Sequence, residues 1–417
     1  MRSRLGIAIA LAIATATVAG VLVAAGVEGA PGISDTPVYE RYGERIADGD
    51  LPYRDFRVEY PPGALVAFAV PALLAGDHGE YDAAFAALMI VALAATAALV
   101  VLAAEALGRS AAASALAVAV VVAGFLLLGP FTLTRFDLLA AAVTAASVTA
   151  LVRGRDRLGA VLLGLAIATK LYPAVLLPLV VARSWRAQGR AAGLRQLVIA
   201  AGTAIAVYLP FLILAPEGVM RSVWQQLGRP LQIESLGAGV LLALHQSLGM
   251  PLGWASGHGS QNLTGAVATA ASAATTLLAT GALLAVWIAF ARGDTGDERF
   301  VRYAAAAVVA FVAFGKVLSP QFLIWLLPIV ALVAGRRGAV ASGLLVVSCA
   351  LTRLWFPDHY WALVKQFEAR SSWLVLARDA ALVAVFVVLV RPGPPGSEPE
   401  RRHPAEVPST PATARER

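Results

Sequence analysis

The sequence predicts an all-α polytopic membrane protein. Three observations point to it. Of 417 residues, 59% are hydrophobic and 14% charged, against about 25% charged in soluble domains. Apolar runs of ~17–25 residues recur, the length at which a helix crosses a bilayer core. Once those runs are threaded across a membrane, the polar residues between them gather on one side. No soluble fold buries ten such segments. The net charge of +7 is explained by membrane topology, not by a nucleic-acid partner.

The first run, residues 5–27 after "MRSR", exceeds the ~7–15-residue apolar core of a signal peptide and reads as the first transmembrane helix. The external loop 28–62 follows. Its segment "TPVYERYGERIADG" (36–49) reads as an amphipathic interfacial helix. Thr36 suits the N-cap, Pro37 the first helical position and Gly49 the C-terminal cap. Val38, Tyr42 and Ile46 share a stripe, so the helix should lie flat on the membrane. Asp35 then stands just outside the cap, beside the positive end of the helix. The alternative is that Asp35 is itself the cap. The strip "PYRDFRVEYPP" (52–62) approaches the bilayer in extended form, because the residue before a proline avoids helix. Residues 63–75 are too short to cross and read as a second interfacial helix.

Further spans are expected at 82–107, 111–129, 136–152, 195–215, 264–291, 300–314, 321–334, 339–356 and 372–391, for about 10–12 transmembrane helices in all. The run 158–183 is flanked by "RGRDR" and "RSWRAQGRAAGLR". Basic loops prefer the cytoplasm, so this run reads as a hairpin of two short helices broken at Pro173. A single spanning helix is the alternative. Threaded with the hairpin, the cytoplasmic segments carry 20 Lys/Arg against 9 Asp/Glu, and the remainder 13 against 17. Residues 1–391 thus form one transmembrane domain. The Pro-rich stretch 392–417 is expected to be a disordered cytoplasmic tail. No internal repeat suggests an inverted-repeat transporter. Cys349 is the only cysteine, which excludes an internal disulfide.

The external face collects the loop 28–62, "TLTRFD" (132–137), "TKLYP" (169–173), the loop 216–263, "GKVLSPQ" (315–321) and "RLWFPDHYW" (353–361). Ionisable groups at membrane depth usually mark function. Arg135, Asp137, Lys170 and Lys316 converge on this face, although each cation alone also fits a snorkelling anchor. His245, His258 and His359 lie in the external loops with nothing to choose between them. "GDHGEYD" (76–82) and "PDHY" (357–360) lack the carboxylates of a hard-metal site, and "DGD" (48–50) reads as a polar helix end. No metal and no cofactor is expected.

The ordered blocks "PY…EYPP", "TRFDLLAA" (134–141), "LGLAIATKLYPAVLLPLVV" (163–181) and "KVLSPQFLIWLLPIV" (316–330) resemble the GT-C glycosyltransferases. In particular they resemble glycosyltransferase family 87, the polyprenol-phosphate-mannose-dependent mannosyltransferases of actinobacteria. The resemblance covers roughly residues 5–335, and no block is recognised beyond. It implies a multi-pass enzyme of the cell membrane with its site on the periplasmic face. It implies a polyprenyl-monophosphate sugar as donor, a hydroxyl of a glycolipid or glycan as acceptor, inversion at the anomeric carbon, and one first-loop carboxylate as general base. Carried over by position, Asp35 is the base and Glu59 the second choice, or else a partner of Arg57 or Arg135. Arg135, Lys170 and Lys316 would stabilise the departing phosphate. Ser319 and Gln321 would bond phosphate or sugar, Tyr172 would stand beside the donor, and Asp137 would orient Arg135. Tyr53, Tyr60, Pro61 and Pro62 would form the supporting floor. An arabinofuranosyl or protein O-mannosyl transferase of the same fold, and a lipid-linked sugar transporter, are the alternatives.

Overall fold

A computed structural model describes residues 2–25 and 33–391. The expected tail 392–417 and the start of the first loop lie outside the described residues. The first helix, α1 (Arg2–Ala24), packs along α4 (His78–Ala106), with Gly20 set directly against Ile90. α4 starts four residues earlier than its apolar run. Asp77 caps it by accepting from the Glu80 amide at 2.8 Å, and Glu80 reaches back to the Gly76 amide at 2.6 Å, a reciprocal capping arrangement.

The interfacial helix α2 spans Thr36–Ala47 and ends at the Asp48 cap, with Gly49 at φ +91°. Its inner stripe is not the expected Val38–Tyr42–Ile46 line lying open to lipid. It is centred on Thr36, Tyr39, Tyr42 and Gly43, which are buried. Gly43 lets α2 settle onto α3 (Leu65–Leu74), where a Cβ would sit 2.7 Å from that of Ala72. A 3-10 turn at Pro62–Ala64 leads into α3.

α5 (Ala111–Leu128) runs to a 3-10 turn at Pro130–Thr134, and α6 is Asp137–Val152. α7 (Asp156–Thr169) and α8 (Leu177–Gln188) are joined through Lys170 and a 3-10 turn at Tyr172–Leu176. One continuous helix would hold residues 156 and 183 about 40 Å apart. Instead Arg183 donates to Asp156 at 2.8 Å and Gln188 to the same carboxylate at 3.0 Å. The segment is therefore a hairpin with both basic flanks at one end. α9 (Arg190–Leu214) runs beside both of its arms and is followed by α10 (Pro216–Leu227) and α11 (Leu236–Leu248).

Among the described residues a single antiparallel pair, β1 (Gly253–Gly257) and β2 (Ser260–Thr264), departs from the all-helical expectation within the loop 216–263. His258 and Gly259 both have positive φ, at +56° and +67°, the conformation a two-residue hairpin turn requires. The chain continues as α12 (Ala266–Arg292), α13 (Asp297–Ala313), a 3-10 turn at Pro320–Phe322, α14 (Leu323–Val330), α15 (Gly335–Arg353), α16 (Tyr360–Gln366) and α17 (Ala369–Val390).

Among the described residues six helices, α1, α4, α5, α9, α12 and α17, are long and apolar enough to span a bilayer. α6, α13 and α14 are shorter and lie inside; all eight residues of α14 and all but five of the seventeen in α13 are buried. A helix that is apolar all round belongs in a core. Around them, α9 and α12 leave Val198, Ile205, Ile213 and Leu277 exposed, as lipid-facing helices do. The polar groups fall on two opposite faces. One carries the ion pairs Arg109–Glu298, Arg153–Glu105, Arg183–Asp156 and Arg183–Asp297, all from segments expected to be cytoplasmic. The other carries the candidate site.

Candidate active site

Asp35 occupies the N-cap position of α2 but makes no capping bond. Its carboxylate turns to the Arg135 guanidinium instead, and it accepts from the Tyr39 hydroxyl at 3.3 Å. Tyr39 is one helical turn further along α2, 1% exposed and packed on Phe68 and Phe136. Burial raises its pKa well above the ordinary tyrosine value, so it keeps its proton and can only donate to a carboxylate. Arg135 follows the Pro130–Thr134 turn in extended conformation and also donates to the Ile33 carbonyl at 3.1 Å. Burial pulls Arg135 down to about 10, with Asp137 and Glu234 pulling the other way. It remains a cation at neutral pH.

Asp137 does not pair with Arg135, contrary to expectation. Its Oδ1 accepts from Lys170 Nζ at 2.6 Å and from Trp325 Nε1 at 2.7 Å. It stands in the first turn of α6, where the helix dipole favours a negative charge. Lys170 lies over the rings of Phe136 and Trp325, 4.3 and 5.0 Å from their centroids. Burial lowers its pKa, and Asp137 opposes that shift. Tyr172 is stacked on Trp325 at 4.2 Å, and its hydroxyl donates inward to Thr144 Oγ1 at 2.8 Å. It braces the cage from behind and does not face the site.

A second group of side chains comes from the loops 227–235 and 315–321. Lys316 donates to the Leu227 carbonyl at 3.0 Å. Gln232 donates its side-chain amide to Ser319 Oγ at 2.7 Å and to the Glu234 carboxylate. Its backbone N–H meets the Lys316 carbonyl at 3.0 Å. Gln321 lies in the adjoining 3-10 turn, half-buried. Glu234 is 2% exposed; burial pushes its pKa up to about 7, against the pull of Arg378 and its bond from Gln232. The field of Arg229 reaches both Lys170 and Lys316, so Arg135, Lys170, Arg229 and Lys316 share this region.

Glu59 is not joined to Arg57 or Arg135. Its carboxylate accepts from Gln225 at 3.3 Å and its carbonyl from Gln226 at 3.0 Å, both on α10. It lines a small hollow with Tyr53, Tyr60, Pro61 and Tyr208, beside the Asp35 cluster. Tyr53 donates to the Tyr60 carbonyl at 2.6 Å, and Tyr60 packs edge-on against Tyr39 and Phe136. Pro61 is extended, at φ −60° and ψ 151°, and Pro62 opens the turn into α3. The strip is thus a braced floor under the Asp35–Arg135 pair. His245 and His258 bond backbone carbonyls of Met250 and Gln225, while His359 approaches Glu368 at 3.7 Å. Among the described residues no group of three or more His, Cys, Asp or Glu is placed to hold a metal.

The arrangement provides one partly exposed carboxylate, Asp35, steadied by a cation and a phenol, next to cations that can meet a phosphate. Sequence reasoning missed Tyr39, Gln232, Glu234, Arg229 and Trp325. Of these only Tyr39 carried a signal, its spacing of four residues from Asp35 on one helix face.

The profile of glycosyltransferase family 87 matches residues 59–320, more than half of the chain. Asp35 and the helices α14 to α17 lie outside that match. No curated protein matches the sequence. Among solved structures, ArnT from Cupriavidus metallidurans, in a crystal structure bound to undecaprenyl phosphate, aligns with a TM-score of 0.49 and 14% identity. That alignment covers 91% of this chain and 76% of ArnT. A likeness that remote transfers no chemistry.

Proposed function

The chain belongs to glycosyltransferase family 87, and from that premise we propose that it moves a hexose, mannose by the sequence resemblance, from a polyprenyl-monophosphate carrier to a hydroxyl of a glycolipid or glycan. The observation that carries this reading is the Asp35–Arg135–Tyr39 cluster beside the Asp137–Lys170 pair, on one face of a membrane-spanning helical bundle. The acceptor oxygen attacks the anomeric carbon and its proton passes to Asp35. The bond from the anomeric carbon to the phosphate oxygen breaks on the opposite side, with inversion. Its electron pair leaves with the polyprenyl phosphate, whose growing charge Lys170, Arg229 and Lys316 face. Arg135 stands against Asp35 as its counter-charge. The arginine-rich network on the far face supports an outward-facing, periplasmic site.

Membranes containing the wild type should transfer labelled mannose from polyprenyl-phosphate mannose. Asp35→Asn at matched expression should transfer ~10²–10⁴-fold less while still binding polyprenyl phosphate. Equal transfer by both would move the base to Glu59, for which Glu59→Gln is the next variant. No transfer by the wild type to any lipid or glycan fraction would remove mannose as the donor sugar.

A further inference from the structure

The most deeply buried charges outside the site are on α17. Arg378 and Asp379 are both 0% exposed, and Arg378 Nε lies 2.7 Å from the Asp379 carboxylate. Ionisable side chains in a membrane-spanning helix are costly and are retained where they do something. Arg378 does not point along its own helix for a partner alone. Its Nη2 donates to the backbone carbonyl of Glu234 at 2.7 Å. Glu234 is two residues from Gln232, and Gln232 is bonded to Ser319 through its side chain and to the Lys316 carbonyl through its backbone. Two sets of hydrogen bonds, joined through Glu234 itself, therefore link the middle of α17 to the rim of the cation cluster. A charge-assisted bond to a carbonyl is among the stronger links a protein can place in an interior.

We propose that Arg378 is a positioning residue for the donor-phosphate side of the site, holding the loop 227–235 against Lys316 and Ser319. This rests on the transferase reading above. Arg378 does not touch donor or acceptor; it fixes the loop whose bonds set where Lys316 and Ser319 present their polar atoms. Without it the Glu234 carbonyl has no partner from α17, and the loop keeps only its bonds to Lys316, Ser319 and β2.

The test is binding of polyprenyl phosphate to the purified full-length protein in lipid nanodiscs, without turnover. Arg378→Met should weaken binding by on the order of tenfold, about one charge-assisted hydrogen bond. Arg378→Lys keeps the interior charge and should fold where the methionine variant does not. It should lose roughly threefold, because one ammonium serves Asp379 and the Glu234 carbonyl less well than a fork of donors. Ser319→Ala should cost little once Arg378→Lys is present, since both changes cut the same chain. Wild-type affinity in a folded Arg378→Lys protein, or losses that add fully with Ser319→Ala, would overturn the proposal. A wild type that fails to bind polyprenyl phosphate would instead defeat the donor reading on which it rests.

Discussion

Asp137 takes two donors on one oxygen, from Lys170 and from Trp325, while Asp35 takes Arg135 and Tyr39. The two acids are thereby given different work. Asp137 is 1% exposed and holds both donors on Oδ1; the Asp35 side chain is 33% exposed, as the proposed base requires. Glu234 is a third case, a carboxylate held at about 7 chiefly by burial. Its folded pKa lies above that of the unfolded chain. The stability it lends is therefore complete below about pH 4.5 and is lost as the pH rises through about 7. The expected size is roughly 3 kcal/mol. Wild-type protein should melt lower at pH 8 than at pH 6, and Glu234→Gln should narrow that gap; an unchanged gap would show that Glu234 does not titrate there. Single charges stand out in an oily sequence, which is why Arg135, Asp137 and Lys170 could be picked as candidates from the residues alone, whereas Asp35 was chosen as base through the family resemblance. Which acid takes which cation was not legible, because pairing depends on how three distant loops meet. Trp325 was hidden because an aromatic residue amid apolar neighbours reads as core; Tyr39, in a polar helix, was passed over although it stands four residues from Asp35.

At the scale of elements, the site depends on where α2 lies. Gly43 sits against the Phe68 carbonyl and Ala72 of α3, and Gly63 is equally tight against the Ala168 backbone of α7. These two contacts fix the floor strip between the helix that carries Asp35 and the turn that carries Lys170. Gly43→Ala should push α2 off α3 at a cost of about 1–3 kcal/mol from overpacking. It should also lower transfer more than it lowers donor binding, because Asp35 moves and the cations do not. Thermal melting and paired transfer and binding assays on this variant would check it; a normal transfer rate would show that α2 has slack. Basic flanks and Pro173 were enough to read the α7–α8 hairpin, since membrane sidedness constrains both ends. The β1–β2 hairpin was not read. Its strands "GWASG" and "SQNLT" have no apolar alternation, and it is held in place by bonds to the loop 227–235, such as that of Ile233 to Gln261 at 3.0 Å.

For the molecule as a whole, long lipid-facing helices surround shorter interior ones. α12 has 27 residues and α6 has 16, about 40 Å against about 24 Å of helix. α6 begins at Asp137 in the site and ends beside Arg153 in the opposite ion-pair network. Asp137 is therefore separated from the far face by only about 24 Å of helix, less than the ~30 Å depth of a bilayer's hydrocarbon. With α6 standing along the bilayer normal, that difference would make the site a dish, sunk below the plane of the surrounding headgroups. The carrier phosphate of the proposed reaction would have to be drawn down into the dish, or the lipid beside it would have to thin. Hydrophobic mismatch would then act directly on the proposed transfer. In vesicles of phosphatidylcholines of increasing acyl length, transfer should be greatest in thin bilayers and fall as they thicken. A rate indifferent to thickness would mean that the rim opens far enough for the carrier to enter level with its own headgroup.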